Sequence, residues 1–198
     1  MKTLGVDLQT YDSTWRDRVG QRLSAFQTAE GSFRCHLGTG AETDVRMTYC
    51  ALAICALLDV WSIDLEKALE SLQACRAWDG GGFGRSPHLE AQGGTTYCAV
   101  AGMAIIASRT HQTLVPDVIQ EADRLVDWCI HRQTAGFQGR PEKAEDTCYG
   151  FWIGATLDVR ESALLFSVCA SFAHGHCTGS ETISGDDIDI GKGPSGGP

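Results

Sequence analysis

At 198 residues, with 43% hydrophobic and 21% charged side chains, the chain has the composition of a soluble globular domain, or of part of a larger one. A formal net charge of −9 excludes a general nucleic-acid binder, which would be basic. No apolar stretch is long enough to span a membrane, Cys98 to Ala107 being too short.

The first seven residues carry Asp7 where the apolar core of a signal peptide should run, so no leader is expected. Trp15 to Phe26 reads as a helix within a lead-in over 1–28. A loop with Gly31-Ser32-Phe33 then leads through Asp44 to Tyr49-Cys50-Ala51 and an apolar helix ending near Trp61. Asp64 is placed to cap a following helix whose apolar face is Leu65, Ala68, Leu69 and Leu72. The order then recurs. Gly80 to Gly84 leads through Glu90 to Tyr97-Cys98-Ala99 and a second apolar helix. Pro116 suits the first turn of an amphipathic helix with Ile119, Ala122, Leu125, Val126 and Cys129 on one face. Gly136-Phe137-Gln138-Gly139 then leads through Asp146 to Cys148-Tyr149-Gly150.

Equivalent positions lie about fifty residues apart, a repeat length of solenoids and toroids. Outer amphipathic helices alternating with inner apolar ones predict an all-α fold, part of an α-α toroid or α/α barrel, over 29–157. Beyond Leu157 the pattern stops. Residues 158–177 are expected to be a divergent apolar segment, and 178–198, rich in Gly, Ser, Asp and Pro, a disordered tail.

The nine cysteines are an odd number and sit mostly in apolar stretches, which fits small buried hydrophobes in a reducing cytoplasmic environment. Cys148 stands apart from them. It follows Asp146 by two residues, and Arg140 and Lys143 come just before. Mid-helix, residues two apart point about 200° from one another. Asp146 and Cys148 converge only if the aspartate begins a helix and the cysteine lies in its first turn. A thiolate and a carboxylate are zinc ligands, and zinc holds a bound thiol deprotonated near neutral pH. Arginine, lysine and a helix start suit a small polyanion such as a diphosphate. Together they read as alkyl transfer to sulfur.

Each residue also has a plainer reading. Asp146 and Cys148 alone would be a helix cap and a buried thiol, and Arg140 and Lys143 a solvated loop. Arg46 can simply pair with Asp44, while Tyr49, Cys98 and Trp152 can be ordinary core. His36, His88, His111 and His131 have no convergent spacing, and His174, His176 and Cys177 are read as a coincidental cluster. The Gly80–Gly84 cluster is a turn and not a phosphate loop, since no Lys-Ser/Thr follows.

These motifs give the chain its resemblance. Asp44-Val-Arg-Met-Thr-Tyr-Cys-Ala51, Asp79 through Cys98, Trp128-Cys-Ile-His-Arg-Gln133 and Gly139 to Leu157 are similar to the β subunits of protein prenyltransferases. Asp-Thr-Cys-Tyr followed by Phe-Trp-Ile-Gly-Ala-Thr-Leu most resembles protein geranylgeranyltransferase type I. The resemblance implies a zinc-dependent enzyme with a helical α subunit. It would move geranylgeranyl from geranylgeranyl diphosphate to the cysteine of C-terminal CaaX motifs. It makes Asp146 and Cys148 metal ligands, and Lys143 and Tyr149 catalytic groups that steady the leaving diphosphate. Arg140, Arg46 and Gln92 would join them around the diphosphate cavity, with Tyr49, Cys98 and Trp152 near the isoprenyl chain.

Three departures accompany it. Gln92 stands where such proteins have a diphosphate-binding histidine, which leaves a hydrogen-bond donor without positive charge. The third zinc-binding histidine has no counterpart, since the surroundings of His174 and His176 do not match its motif. Family members also carry further helices at both ends, and the text after Leu157 is unlike theirs. An inactive isoform, or a β subunit of farnesyltransferase or Rab geranylgeranyltransferase, are the alternative readings.

Overall fold

The computed structural model describes residues 13–78, 81–110 and 122–159. Residues 1–12, Pro116, Ile119, His111, His174, His176, Cys177 and the segments 160–177 and 178–198 lie outside the described residues. Six helices are described: α1 (Trp15–Phe26), α2 (Val45–Leu58), α3 (Leu65–Ala74), α4 (Gly93–Thr110), α5 (Ala122–Ile130) and α6, over 148–159. Among the described residues the only β-type pairings are isolated bridges. The all-α expectation holds.

The helices alternate as the repeat predicts, with α1, α3 and α5 outer and α2, α4 and α6 inner. Leu72 and Ala68 of α3 and Cys129 of α5 are fully buried, and the opposite faces of these helices meet solvent. The inner α4 buries most of its length, with Ala99, Met103 and Ile106 in one core with Leu52 and Cys55 of α2 and Ile153 of α6. A side chain at Gly102 would come within 2.9 Å of Leu72 Cδ1 and 3.3 Å of Leu52 Cδ1, so α4 passes both neighbours closely because that position is bare.

Each outer helix is fastened to its glycine loop in the same way. Antiparallel bridges join Gln27 to Phe33, Arg76 to Phe83 and Gln133 to Phe137. Phe33 and Phe83 are buried beneath these turns, and Phe137 packs against the core from a half-buried position. The three loops are therefore one structural unit used three times.

Each inner helix also starts alike, with a side-chain oxygen taking backbone N–H groups that a helix start leaves without partners. Asp44 Oδ1 accepts from Arg46 N at 2.8 Å and Met47 N at 3.4 Å. Gln92 Oε1 accepts from Gly94 N at 2.9 Å and Thr95 N at 3.2 Å. Asp146 Oδ1 accepts from Cys148 N at 2.9 Å. This register makes Gln92, two residues beyond Glu90, the counterpart of Asp44 and Asp146. Tyr49, Tyr97 and Phe151 then occupy equivalent places five residues after each cap. Outer α3 is capped as expected, Asp64 Oδ1 accepting from Lys67 N at 3.0 Å.

Asp44 is buried, with the Arg46 guanidinium on both carboxylate oxygens and Arg85 Nε 3.5 Å from Oδ2. Burial pushes its carboxyl up, but the hydrogen bonds and charge of Arg46 outweigh this and hold it below the usual carboxylate range. A carboxyl so depressed stabilises the fold above its unfolded value, about pH 4, and that contribution is lost as pH falls through the folded value. Asp44→Ala is expected to cost about 1–2 kcal/mol at neutral pH through loss of the cap. Denaturant unfolding of both chains checks it: the gap should narrow from about pH 4 downward, and a gap constant to pH 3 contradicts the assignment.

Candidate active site

The segment from Gln133 to Thr147 carries the charged residues of the site and is tied down on two sides. Within the repeat, Gln138 N donates to Arg132 O at 2.8 Å and Asp146 N to Phe137 O at 3.0 Å. Thr134 Oγ1 donates to the Glu145 carboxylate, which holds that carboxyl below its ordinary value. Across to the previous repeat, Gly93 N at the start of α4 donates to Gly139 O at 2.8 Å.

Tyr149, in the first turn of α6, packs against both of these glycines. A side chain at Gly139 would lie 2.1 Å from Tyr149 Cζ and 2.4 Å from its hydroxyl, and one at Gly93 3.0 Å from Cδ1. The ring fits because Gly139 lacks a Cβ, and the bare Gly93 spares it a further tight contact. Gln92 Nε2 meets the phenolic oxygen at 2.6 Å. Gln92 is thus tied both to α4 and to Tyr149.

Asp146 and Cys148 sit as their spacing requires, the carboxylate before the first turn of α6 and the thiol within it, both exposed. Hydrogen bonds from the backbone and thiol of Cys148 hold the Asp146 carboxyl below its ordinary value. The same contact with Asp146 pushes the Cys148 thiol up. A cation bridging the two would reverse that effect on sulfur, so this exposed carboxylate–thiol pair fits a metal as two of its ligands. Among the described residues no cluster of three or more His, Cys, Asp or Glu is found.

The cations are less alike than their spacing suggests. Arg140 Nη1 bonds Glu90 Oε2 at 2.8 Å on the surface, while Lys143 is exposed and makes no ion pair or hydrogen bond among the described residues. Arg46 belongs to the Asp44 cap at the start of α2.

Tyr49 and Trp152 join a row of aromatic rings across the three inner helices. Tyr49 and Tyr97 meet edge-on at 5.6 Å with hydroxyls 3.4 Å apart, and Tyr97 lies 5.3 Å from Trp152 and 5.6 Å from Phe151. The bond with Tyr97 and burial both raise the Tyr49 hydroxyl above its ordinary value. Tyr49 and Tyr97 also line an open cleft of about 520 Å³, together with Ala101, Ile105, Val159 and Trp61, over whose ring the Arg109 guanidinium lies at 5.1 Å. Cys98 is not on that wall. It is 7% exposed in the core, and burial pushes its thiol up to about 12.

The profile of the prenyltransferase alpha-alpha toroid domain matches residues 1–183. The chain belongs to that family. It is 42% identical over 163 residues to the geranylgeranyl transferase type-1 subunit beta of Arabidopsis thaliana, covering 79% of this chain and 42% of that protein. The corresponding subunit of Dictyostelium discoideum is 39% identical over 116 residues, covering 58% of this chain and 31% of the relative. The Arabidopsis protein farnesyltransferase subunit beta is 35% identical over 156 residues, covering 77% and 30% respectively. The chain thus spans less than half the length of these relatives. Among solved structures, Candida albicans protein geranylgeranyltransferase-I complexed with GGPP superposes with a TM-score of 0.58 at 20% identity, covering 84% of this chain and 54% of that one. The toroid architecture expected from the repeat is the family's.

Motif reading missed Tyr97 and Glu90, although the repeat offered a signal for Tyr97, which recurs at the place of Tyr49. The close approach at Gly139 left no sequence signal beyond a glycine in a turn. Gly139→Ala is expected to displace the Tyr149 ring and cost about 1–3 kcal/mol, as overpacking does. Thermal unfolding checks this: an unshifted midpoint contradicts the packing, and Gly150→Ala, whose Cβ would meet nothing nearer than 3.9 Å, is the control for a glycine change in the same segment.

Proposed function

We propose that this chain carries substrate-binding and metal-binding surface of a protein geranylgeranyltransferase type I β subunit. Such an enzyme works with an α subunit in the cytoplasm, and moves geranylgeranyl from its diphosphate to the cysteine of a C-terminal CaaX motif. One observation carries the reading. The carboxylate–thiol pair of Asp146 and Cys148 and the fixed phenol of Tyr149 share the first turn of α6, beside the loop that bears Arg140 and Lys143. The 42% identity to a type-1 β subunit, against 35% to a farnesyltransferase β subunit, supports type I within the family.

In this reading Asp146 and Cys148 would hold zinc, which when bound would keep the substrate thiol deprotonated and nucleophilic. The sulfur forms a bond to C1 of the isoprenoid as the C1–O bond breaks, and the diphosphate leaves with the electron pair. Charge gathers on the leaving oxygens, so donors aimed there lower the barrier more than they aid binding. Lys143, with no competing bond among the described residues, and Tyr149, held by Gln92, are such donors. Arg140 reaches a diphosphate by exchanging Glu90 for it. Arg46 serves by holding the start of α2, on which Tyr49 stands. The aromatic row, and the cleft that its Tyr49 and Tyr97 also line, offer an isoprenyl chain apolar surface, with Tyr49 and Trp152 in the row. Among the described residues no helix is long and apolar enough to cross a membrane.

A second reading follows from the span of the match. The chain covers 42% of the Arabidopsis relative, and a partial toroid that binds an α subunit or lipid without turnover would have these same features. Transfer to a CaaX peptide, measured with the chain and an α subunit, separates the two. In an active complex Lys143→Ala should slow single-turnover transfer roughly 10–100-fold with peptide affinity unchanged. An unaltered single-turnover rate rules out the leaving-group role, and no transfer by the unaltered complex favours the binding-only reading.

A further inference from the structure

The carboxamide of Gln92 has its two ends assigned by its partners. One end accepts from Gly94 N at 2.9 Å and from Thr95 N at 3.2 Å, and only the amide oxygen can accept from backbone N–H groups. The other end, 2.6 Å from the Tyr149 phenol, is therefore the NH₂ group. Nitrogen of an amide only donates, so the phenolic oxygen is the acceptor in this bond. A phenol owns one proton. With Gln92 as donor, the Tyr149 proton is left to donate elsewhere. The ring packs closely against the bare backbone of Gly139 and Gly93, which favours this placement of the hydroxyl.

We propose that Gln92 is a positioning residue for Tyr149, setting the direction of its hydroxyl so that the phenolic proton is offered to a diphosphate oxygen. The proposal rests on the diphosphate reading above. It gives Gln92 a different task from direct diphosphate binding: the amide organises a neighbour's proton, and its anchor is the helix start it caps. A carboxylate at the same position would keep the cap through one oxygen. Its other oxygen accepts only, so the phenol would have to turn its proton inward to meet it.

Glutamate and phenylalanine substitutions separate these effects. Isothermal titration of the full chain with inorganic pyrophosphate is measured for the unaltered protein, Tyr149→Phe, Gln92→Glu and the double variant. Tyr149→Phe should weaken binding about tenfold, the loss of one hydrogen bond to a charged group. In the Gln92→Glu background the same change should cost less than about twofold, because the proton has already been withdrawn and the added carboxylate repulsion is common to both members of that pair. Equal costs in both backgrounds overturn the proposal. Amide NMR gives a second reading that needs no ligand: one Gln92 Nε2 proton should be displaced and slow to exchange, and should lose both features in Tyr149→Phe, which keeps the ring. A Gln92 side-chain signal indifferent to Tyr149→Phe overturns the hydrogen bond itself. If that signal responds but the unaltered chain binds no pyrophosphate, the diphosphate reading fails, and with it the destination proposed for the proton.

Discussion

The site depends on how the first turn of α4 disposes of its unpaired backbone N–H groups. A helix start must find partners for several of them, and most helices find these in a local side chain or water. Here Gln92 takes two, and Gly93 gives its own N–H to the carbonyl of Gly139 in the next repeat. That single exchange locks the loop bearing Arg140 and Lys143 against α4. The same Gln92 side chain then reaches Tyr149, so α4, the loop and α6 meet at one point. A methyl group at Gly139 would strike the Tyr149 ring, and one at Gly93 would press on it at 3.0 Å.

The three inner helices begin with the same device and put it to different uses, and the difference is solvent and charge. Asp44 is buried with two arginines beside it, which gives a rigid, neutralised cap suited to holding α2 in place. Gln92 is uncharged and turned toward a neighbour. Asp146 is exposed, with a thiol rather than a cation against it, so it alone of the three presents an unpaired negative charge to solvent. Architecture comes from the repeat, and chemistry from where the repeat is broken.

The repeat was legible because glycines, apolar periods and caps are local signals. Trp15–Phe26 and the Asp64 cap fall where the sequence places them. The convergence of Asp146 and Cys148 could likewise be argued from helix geometry, because both lie on one turn. What could not be read was any contact between repeats. Glu90 taking Arg140, Gln92 holding Tyr149 and the Tyr49–Tyr97–Trp152 row all join residues about fifty or more apart, and no local pattern encodes them. The register between repeats is equally hidden: with Asp44, Gln92 and Asp146 as the equivalent caps, it is Phe151 rather than Tyr149 that matches Tyr49 and Tyr97. Cys98 shows the opposite limit. Its motif places it near an isoprenyl chain, and on α4 it is 7% exposed among core residues, a burial that no local motif encodes.

The most direct test of the account is the zinc coordination of the full chain, purified with an α subunit and examined by X-ray absorption at the zinc edge. The account predicts stoichiometric metal with one sulfur ligand at about 2.3 Å and oxygen or nitrogen ligands at about 2.0–2.2 Å, the sulfur contribution disappearing in Cys148→Ala. Zinc bound without sulfur, or no zinc at all, would contradict the assignment of Asp146 and Cys148 as a metal-binding pair.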